Sequence, residues 1–291
     1  MKKVIVLGAN GMAGHIITLG LRAETERYDV IAIARTDSFI KPEILLDITD
    51  FESLNKLIKN SHTDVIINCI GLLNQRAEDH IDQAILLNSY LPHYLETITQ
   101  NTSTKIIHIS TDCVFSGSKG GYKEDDIKDG KGFYAQSKAL GEIINKKDLT
   151  IRTSIIGPEL NSNGIGLLHW FSKQTGDING YTQSFWNGIT TIELMNAIKK
   201  SIENDITGLY HLVYSEKISK FDLIKLFAES FDMKNINIHP KETYKVDKSL
   251  INTRTDFNYS IPDYKKMIME MKEWIYNHSN LYTHYQHLFK Q

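Results

Sequence analysis

The chain has almost no cysteine: two residues in 291, Cys69 and Cys113. Each ends an apolar, strand-like run, so both read as buried free thiols rather than halves of a disulfide framework. A chain this long buries about 75% of its unfolded surface and needs no disulfide or metal staple. Long apolar runs are also missing. Nothing approaches the roughly 20 residues of a membrane-spanning helix. After Lys2 and Lys3 only four apolar residues precede a glycine, too few for the core of a secretion signal. The expected compartment is the cytoplasm, where the sequon Asn101-Thr102-Ser103 carries no meaning. Neither charge is in excess: 33 Lys and Arg stand against 35 Asp and Glu, a net charge of −2. Neither nucleic acid nor a membrane is expected as a partner. Internal repeats and low-complexity segments are absent, and 41% hydrophobic with 23% charged residues is ordinary globular composition.

The informative stretch is the first. Val4 to Leu7 read as a short strand buried on both faces. Gly8, Gly11 and Gly14 follow, then an apolar, helix-compatible run from Met12 to Leu21. A strand, a glycine-punctuated turn and a helix make a phosphate cradle. Gly8 permits the sharp turn, Gly11 lets the backbone approach a pyrophosphate, and Gly14 lets the helix sit close on the strand. The helix start adds free N–H groups and positive dipole. Gly8, Asn10, Gly11 and Met12 are therefore cofactor-binding candidates.

Strand-like and helix-like segments then alternate. Strands are expected at Asp29–Ile33, Asp64–Asn68, Lys105–Ile109, Leu149–Ile155 and Gly208–Val213. Helices are expected at Asp50–Lys59, Ile81–Gln100, Tyr134–Asn145, Ile192–Ile202, Ser219–Phe231 and Asp263–Tyr276. This alternation predicts an α/β fold, a doubly wound (Rossmann) parallel sheet. Residues 1–158 would form the dinucleotide-binding domain, its sheet completed by the strand near 208–213. Residues 159–291 would be mainly a small C-terminal substrate lobe. Ligands of such sheets sit beyond the carboxyl ends of the strands.

Those ends are distinctive. Arg35 follows the second strand, where an acid would bind ribose hydroxyls and an arginine fits a 2′-phosphate. Asp47, beside Ile48, is placed to accept from the adenine amino group, and Asp50 to cap a helix. Cys69-Ile70-Gly71 is a small-residue stretch against which a cofactor can lie. Ser110-Thr111-Asp112 tips another strand with hydroxyls. The Lys119–Gly132 loop, long enough to be functional or mobile, leads to Tyr134-Ala135-Gln136-Ser137-Lys138. Tyr134 and Lys138 share a helix face. A phenol with a pKa of about 10 is a poor proton donor near neutrality. An ammonium about 4 Å away supplies about 4 kcal/mol toward lowering it.

Together these residues resemble the extended short-chain dehydrogenase/reductases: the glycine turn, the Asp47 site, Asn68-Cys69-Ile70-Gly71, Asn88 in the long helix, and Tyr134 with Lys138. Within that branch, Ser110 to Gly117 is similar to the strand end of the dTDP-4-dehydrorhamnose reductase family. The resemblance implies Thr111, Tyr134 and Lys138 as the catalytic set. Asn88 would help hold the lysine through a water. The implied reaction is NAD(P)H-dependent reduction of a 4-keto-deoxysugar nucleotide, with Tyr134 as proton donor. NADP(H) is favoured on Arg35, with NAD(H) as the alternative. The implied partner is a nucleotide-sugar substrate; the sequence leaves the oligomeric state open, a homodimer among the options. Related dehydratases carry a Glu two residues after the catalytic Thr. Cys113 stands there, which favours simple reduction. The other readings are an epimerase or epimerase/reductase, and a non-catalytic dinucleotide-binding regulatory subunit.

In the C-terminal part, Trp186 and Asn187 form an aromatic–amide pair suited to a sugar or base. Arg254 could meet a diphosphate bidentately. Thr190 and Glu193 have capping-box spacing. His278, His284 and His287 read as a polar terminal helix, and no metal is expected.

Overall fold

The first strand, β1 (Lys2–Leu7), is apolar on alternate faces, and both faces are covered. Val4 and Val6 pack into one hydrophobic cluster, Ile5 and Leu7 into another on the opposite side. That two-sided burial is what a continuous apolar strand needs. The protein, a computed structural model, is described over residues 1–289. The last two residues of the 159–291 segment lie outside the described residues.

Around β1 the chain lays down β2 (Tyr28–Ala34), β3 (Ile44–Leu45), β4 (Val65–Asn68), β5 (Lys105–Thr111) and β6 (Leu149–Thr153). With the Gly208–His211 strand they form a seven-stranded sheet. Its order is Gly208–His211, β6, β5, β4, β1, β2, β3, and every pairing is parallel. Strand order reverses at β1, between β2 and β4. The carboxyl ends at that switch point are where this architecture binds ligands.

Helix α1 (Met12–Arg22) follows β1, and α2 (Phe51–Ser61) is capped by Asp50, whose side chain accepts from the Ser53 N–H. The Thr191–Glu203 helix shows half of the expected capping box. Thr190 accepts from the Glu193 N–H at 3.3 Å, but the Glu193 carboxylate takes the Tyr259 hydroxyl at 2.6 Å.

Two expectations change. The long helix from Ile81 to Thr99 contains a π-helical segment, Ile85–Tyr90. The helix carrying Tyr134 spans Gly132–Leu140 rather than reaching Asn145. Gly141 stops it where the two helices meet: a Cβ there would lie 1.8 Å from the Asn88 carbonyl oxygen. The Lys119–Gly132 loop is also well fastened. Ser116 bonds Asp129 through backbone and side chain at 2.8 and 2.7 Å, and Lys128 donates to Glu142 at 3.0 Å.

Beyond Ile156 a smaller lobe contains a parallel pair, Gly176–Tyr181 with Ile236–Lys241. It also holds a three-stranded group centred on Ser184–Trp186. A bridge between Tyr122 and Leu250 ties the loop to this lobe. Among the described residues, no helix is long and apolar enough to cross a membrane.

Candidate active site

The glycine turn has the shape a phosphate cradle requires. Gly8 adopts a φ of +79°, and a Cβ on Gly14 would sit 2.1 Å from the Gly8 oxygen. Only glycine at both positions lets α1 press onto the turn. Gly11 is the N-cap of α1 and contributes no side-chain cap, so the helix start keeps N–H groups available to an anion. A Cβ on Gly8 would also meet the Ile70 side chain at 2.9 Å. The Cys69-Ile70-Gly71 stretch therefore lies directly against the turn.

Behind the turn, His15 is fully buried. Its Nδ1 faces the Gly11 carbonyl at 2.8 Å and its Nε2 faces the Tyr282 hydroxyl at 2.7 Å. Burial lowers its pKa to about 4, so the ring is neutral. The C-terminal segment thus braces the cradle through an aromatic hydroxyl.

Asn10 links the turn to the segment after β2. Its amide donates to the Thr36 carbonyl at 2.8 Å, and Ser38 donates to its Oδ1 at 2.6 Å. Arg35 sits at this rim, exposed. It has no hydrogen bond or ion pair among the described residues. Asp47 is near enough to feel its charge, but one Asp47 oxygen is engaged by the Thr49 N–H and hydroxyl at 3.0 and 2.8 Å. Those hydrogen bonds hold the carboxyl below its usual range. Ile48 points into the core, and Met12 lies beside Gly166. The Cys69 thiol is pushed up to about 12 by burial, so it stays protonated.

At the carboxyl end of β5, the Thr111 hydroxyl lies close enough to the Tyr134 phenol to act on it. Thr111 also donates to Asp112 and accepts from the Cys113 N–H, at 3.2 and 3.1 Å. Only β4 separates β5 from β1, so this point lies about 10 Å across the sheet from the glycine turn. Burial raises the Tyr134 phenol above its ordinary value, with the Cys113 sulfur adding to it. The expected lowering by Lys138 is not the arrangement found. The Lys138 ammonium is turned onto β5, donating to the Ile109 carbonyl at 2.8 Å and lying 3.3 Å from His108 Nε2. Burial lowers Lys138 to about 8, against the pull of Glu142 and Cys69.

Asn88 is bound to the backbone of the neighbouring stretch. Its amide brackets Leu72, accepting from the N–H at 2.8 Å and donating to the carbonyl at 2.9 Å, and it donates to Ser137 at 3.0 Å. It clamps backbone directly.

A cleft of about 410 Å³ opens over this edge, lined by Tyr134, Cys113, Lys248, Lys131, Glu78 and Asn74 among others. Burial pushes the Cys113 thiol up to about 11, against the pull of the nearby Lys248 ammonium. Glu78 accepts from the Phe133 and Tyr134 N–H groups at 3.0 and 3.1 Å, capping the helix of Tyr134 and Lys138. Glu78, His108 and Lys248 were not foreseen. The one signal was His108 itself, a polar residue inside an apolar strand.

Three expected substrate contacts are placed elsewhere. Trp186 is 3% exposed, with the Lys220 ammonium over its ring at 5.1 Å and Tyr264 5.8 Å away. It fills the lobe as a plug. Asn187 is spent on backbone: it donates to Tyr214 and Leu250 carbonyls at 3.0 and 2.8 Å and accepts from the Leu250 N–H at 3.0 Å. Arg254 forks onto Asp256 and donates to the Thr207 and Leu209 carbonyls. Gly208 pairs with Leu149, which pairs with Ile107. Arg254 therefore lies about 13 Å down the strand direction from Thr111. Its donors are committed there, so it is not a diphosphate ligand.

Comparison with known proteins follows the same lines. The RmlD substrate binding domain family matches residues 1–256. The spore coat polysaccharide biosynthesis protein SpsK of Bacillus subtilis is 27% identical over 236 residues, 79% of each chain. A dTDP-4-dehydrorhamnose reductase of Aggregatibacter actinomycetemcomitans is 28% identical over 248 residues, 80% of this chain and 81% of that one. The crystal structure of a dTDP-4-dehydrorhamnose reductase from Bacillus anthracis, in complex with NADP, superposes with a TM-score of 0.81 at 23% identity. It covers 94% of this chain and 100% of that chain.

Proposed function

This chain belongs to the RmlD substrate binding domain family, and on that premise we propose that it is an NADPH-dependent reductase of a nucleotide-linked 4-keto-deoxysugar. The observation that carries the reading is the meeting of Thr111 and Tyr134 at the rim of an open cleft, with Lys138 one helical turn on and the glycine cradle across β4.

The residues present fit a dinucleotide. The Gly8–Gly14 turn leaves room where a Cβ would intrude, and the start of α1 offers uncapped N–H groups to a pyrophosphate. Arg35, exposed and without a partner among the described residues, suits a 2′-phosphate. Cys69 to Gly71 would flank the path from the turn to Lys138. Bound NADPH would supply the hydride. Tyr134 would donate the proton to the oxygen of the reduced carbonyl. Thr111 would hold that oxygen in line with the phenol. Lys138, as the ammonium, would hold ribose hydroxyls and favour charge developing on Tyr134. Cys113 stays a thiol near neutrality, so the position lacks the acid/base couple that dehydration needs.

The test uses purified protein, NADPH and a panel of keto-sugar nucleotides, followed by absorbance of the reduced nicotinamide. Coenzyme consumption matched by alcohol formation on a dTDP-linked 4-keto-6-deoxyhexose is expected. Solvent deuterium entering the ring without coenzyme consumption would indicate epimerisation instead. No turnover with any member of the panel would sink the reading.

A further inference from the structure

A chain of buried hydrogen bonds runs from the stretch after β4 to the catalytic lysine, and it has a direction. The Ile70 N–H donates to Asn68 Oδ1 at 3.1 Å. That bond orients the amide so that Asn68 Nδ2 faces His108 Nδ1 at 3.2 Å. An amide nitrogen can only donate, so His108 Nδ1 must present its lone pair. A neutral imidazole carries one proton, which then sits on Nε2. Burial and the neighbouring Lys138 hold the ring far below its ordinary pKa, so it is neutral. Nε2–H in turn faces Lys138 Nζ at 3.3 Å. Against an ammonium this is donor facing donor. Against a free amine it is a hydrogen bond, and the chain then runs in one direction, ending with Lys138 on the Ile109 carbonyl at 2.8 Å. Asn68 and His108 are both 0% exposed, which leaves bulk water no place in the order.

We propose that His108 is a positioning residue that donates its Nε2–H to Lys138 and opposes protonation of that amine. The proton on Lys138 is thereby linked to the orientation of Asn68 and of the Ile70 backbone beside the glycine turn. The other groups acting on this pair are few. Glu142, just past the end of the helix, and Cys69, after β4, favour the cation. Glu142 is itself engaged by Arg152, Ser110 and Lys128. His93, on the neighbouring helix, acts on His108 in the same sense as Lys138. The opposite arrangement, with Nε2 accepting from the ammonium, would require the Asn68 amide to turn over. Its NH₂ would then oppose the Ile70 N–H, donor facing donor, and that half-buried N–H would lose its acceptor.

The role of Lys138 rests on the proposed reductase, but the proton on His108 can be read without turnover. Long-range ¹H–¹⁵N spectra of the coenzyme-free wild-type protein should show the Nε2-protonated tautomer of His108. The Nδ1-protonated tautomer would overturn the proposal. The second arm is the alkaline limb of kcat/KM, expected near pH 8 in the wild type. In His108→Leu the opposing donor is gone, and the limb should move up by about one pH unit, roughly tenfold in the protonated-to-free ratio of Lys138. His108→Gln keeps an amide donor toward Lys138 and should leave the limb in place. A limb that stays put or moves down in His108→Leu, with activity merely lowered at every pH, would also overturn it. Absence of turnover in the wild type would defeat the reductase reading and leave the tautomer measurement standing.

Discussion

Asn88 and Ser137 are joined at 3.0 Å across the seam between the π-helical segment and the helix of Tyr134 and Lys138. The same amide brackets both backbone groups of Leu72. One side chain thus fastens the wall of the proposed coenzyme path to the helix of the proposed proton donor. Asn88→Ala should lose about 2–3 kcal/mol of stability, since it orphans buried backbone groups. It should weaken coenzyme binding and turnover together. A melting curve and a coenzyme titration check this; an unchanged melting temperature would contradict it.

Arg35 has no partner of its own among the described residues, while Asn10 ties the adjoining segment to the glycine turn. Arg35→Ala should weaken NADPH binding by about 1.5–3 kcal/mol, the worth of a charge-assisted hydrogen bond, and leave NADH binding nearly unchanged. Equal loss for both coenzymes would remove Arg35 from the 2′-phosphate site.

Asn187 makes three backbone hydrogen bonds while 4% exposed. Asn187→Ala should therefore lower stability by about 2–3 kcal/mol, with little change in KM once the protein is folded. Arg254→Ala should likewise leave the salt dependence of substrate KM unchanged, because the guanidinium is held by Asp256 and two carbonyls. A large KM effect with an unchanged melting temperature at either position would restore it to the substrate site.

How much of this was legible depends on whether a residue's role is local. The Gly8–Gly11–Gly14 turn is a local device: strand, bend and helix are adjacent in the chain, so spacing alone reveals it. Tyr134 and Lys138 are one helical turn apart, and the strand end at Thr111 follows from the sheet alternation. Trp186, Asn187 and Arg254 were misplaced for the opposite reason. Their partners, such as Tyr264, Leu250 and Leu209, lie 78, 63 and 45 residues away. An aromatic, an amide and an arginine look the same in sequence whether they meet a ligand or another part of the chain. Glu78 was invisible because its partners are backbone N–H groups 55 and 56 residues on. The orientation of Lys138 was missed because helix spacing sets which face a side chain leaves from, not where its ammonium ends. The short helix of Tyr134 and Lys138 was hidden because Gly141 is demanded by a second helix, not by its own.

The most direct measurement is hydride transfer in a single turnover by Tyr134→Phe, at saturating NADPH with the keto-sugar nucleotide that the wild type accepts. Coenzyme affinity and melting temperature should match the wild type, while the rate falls by ~10²–10⁴, the usual worth of a general acid. A variant that transfers hydride at the full wild-type rate would contradict the account.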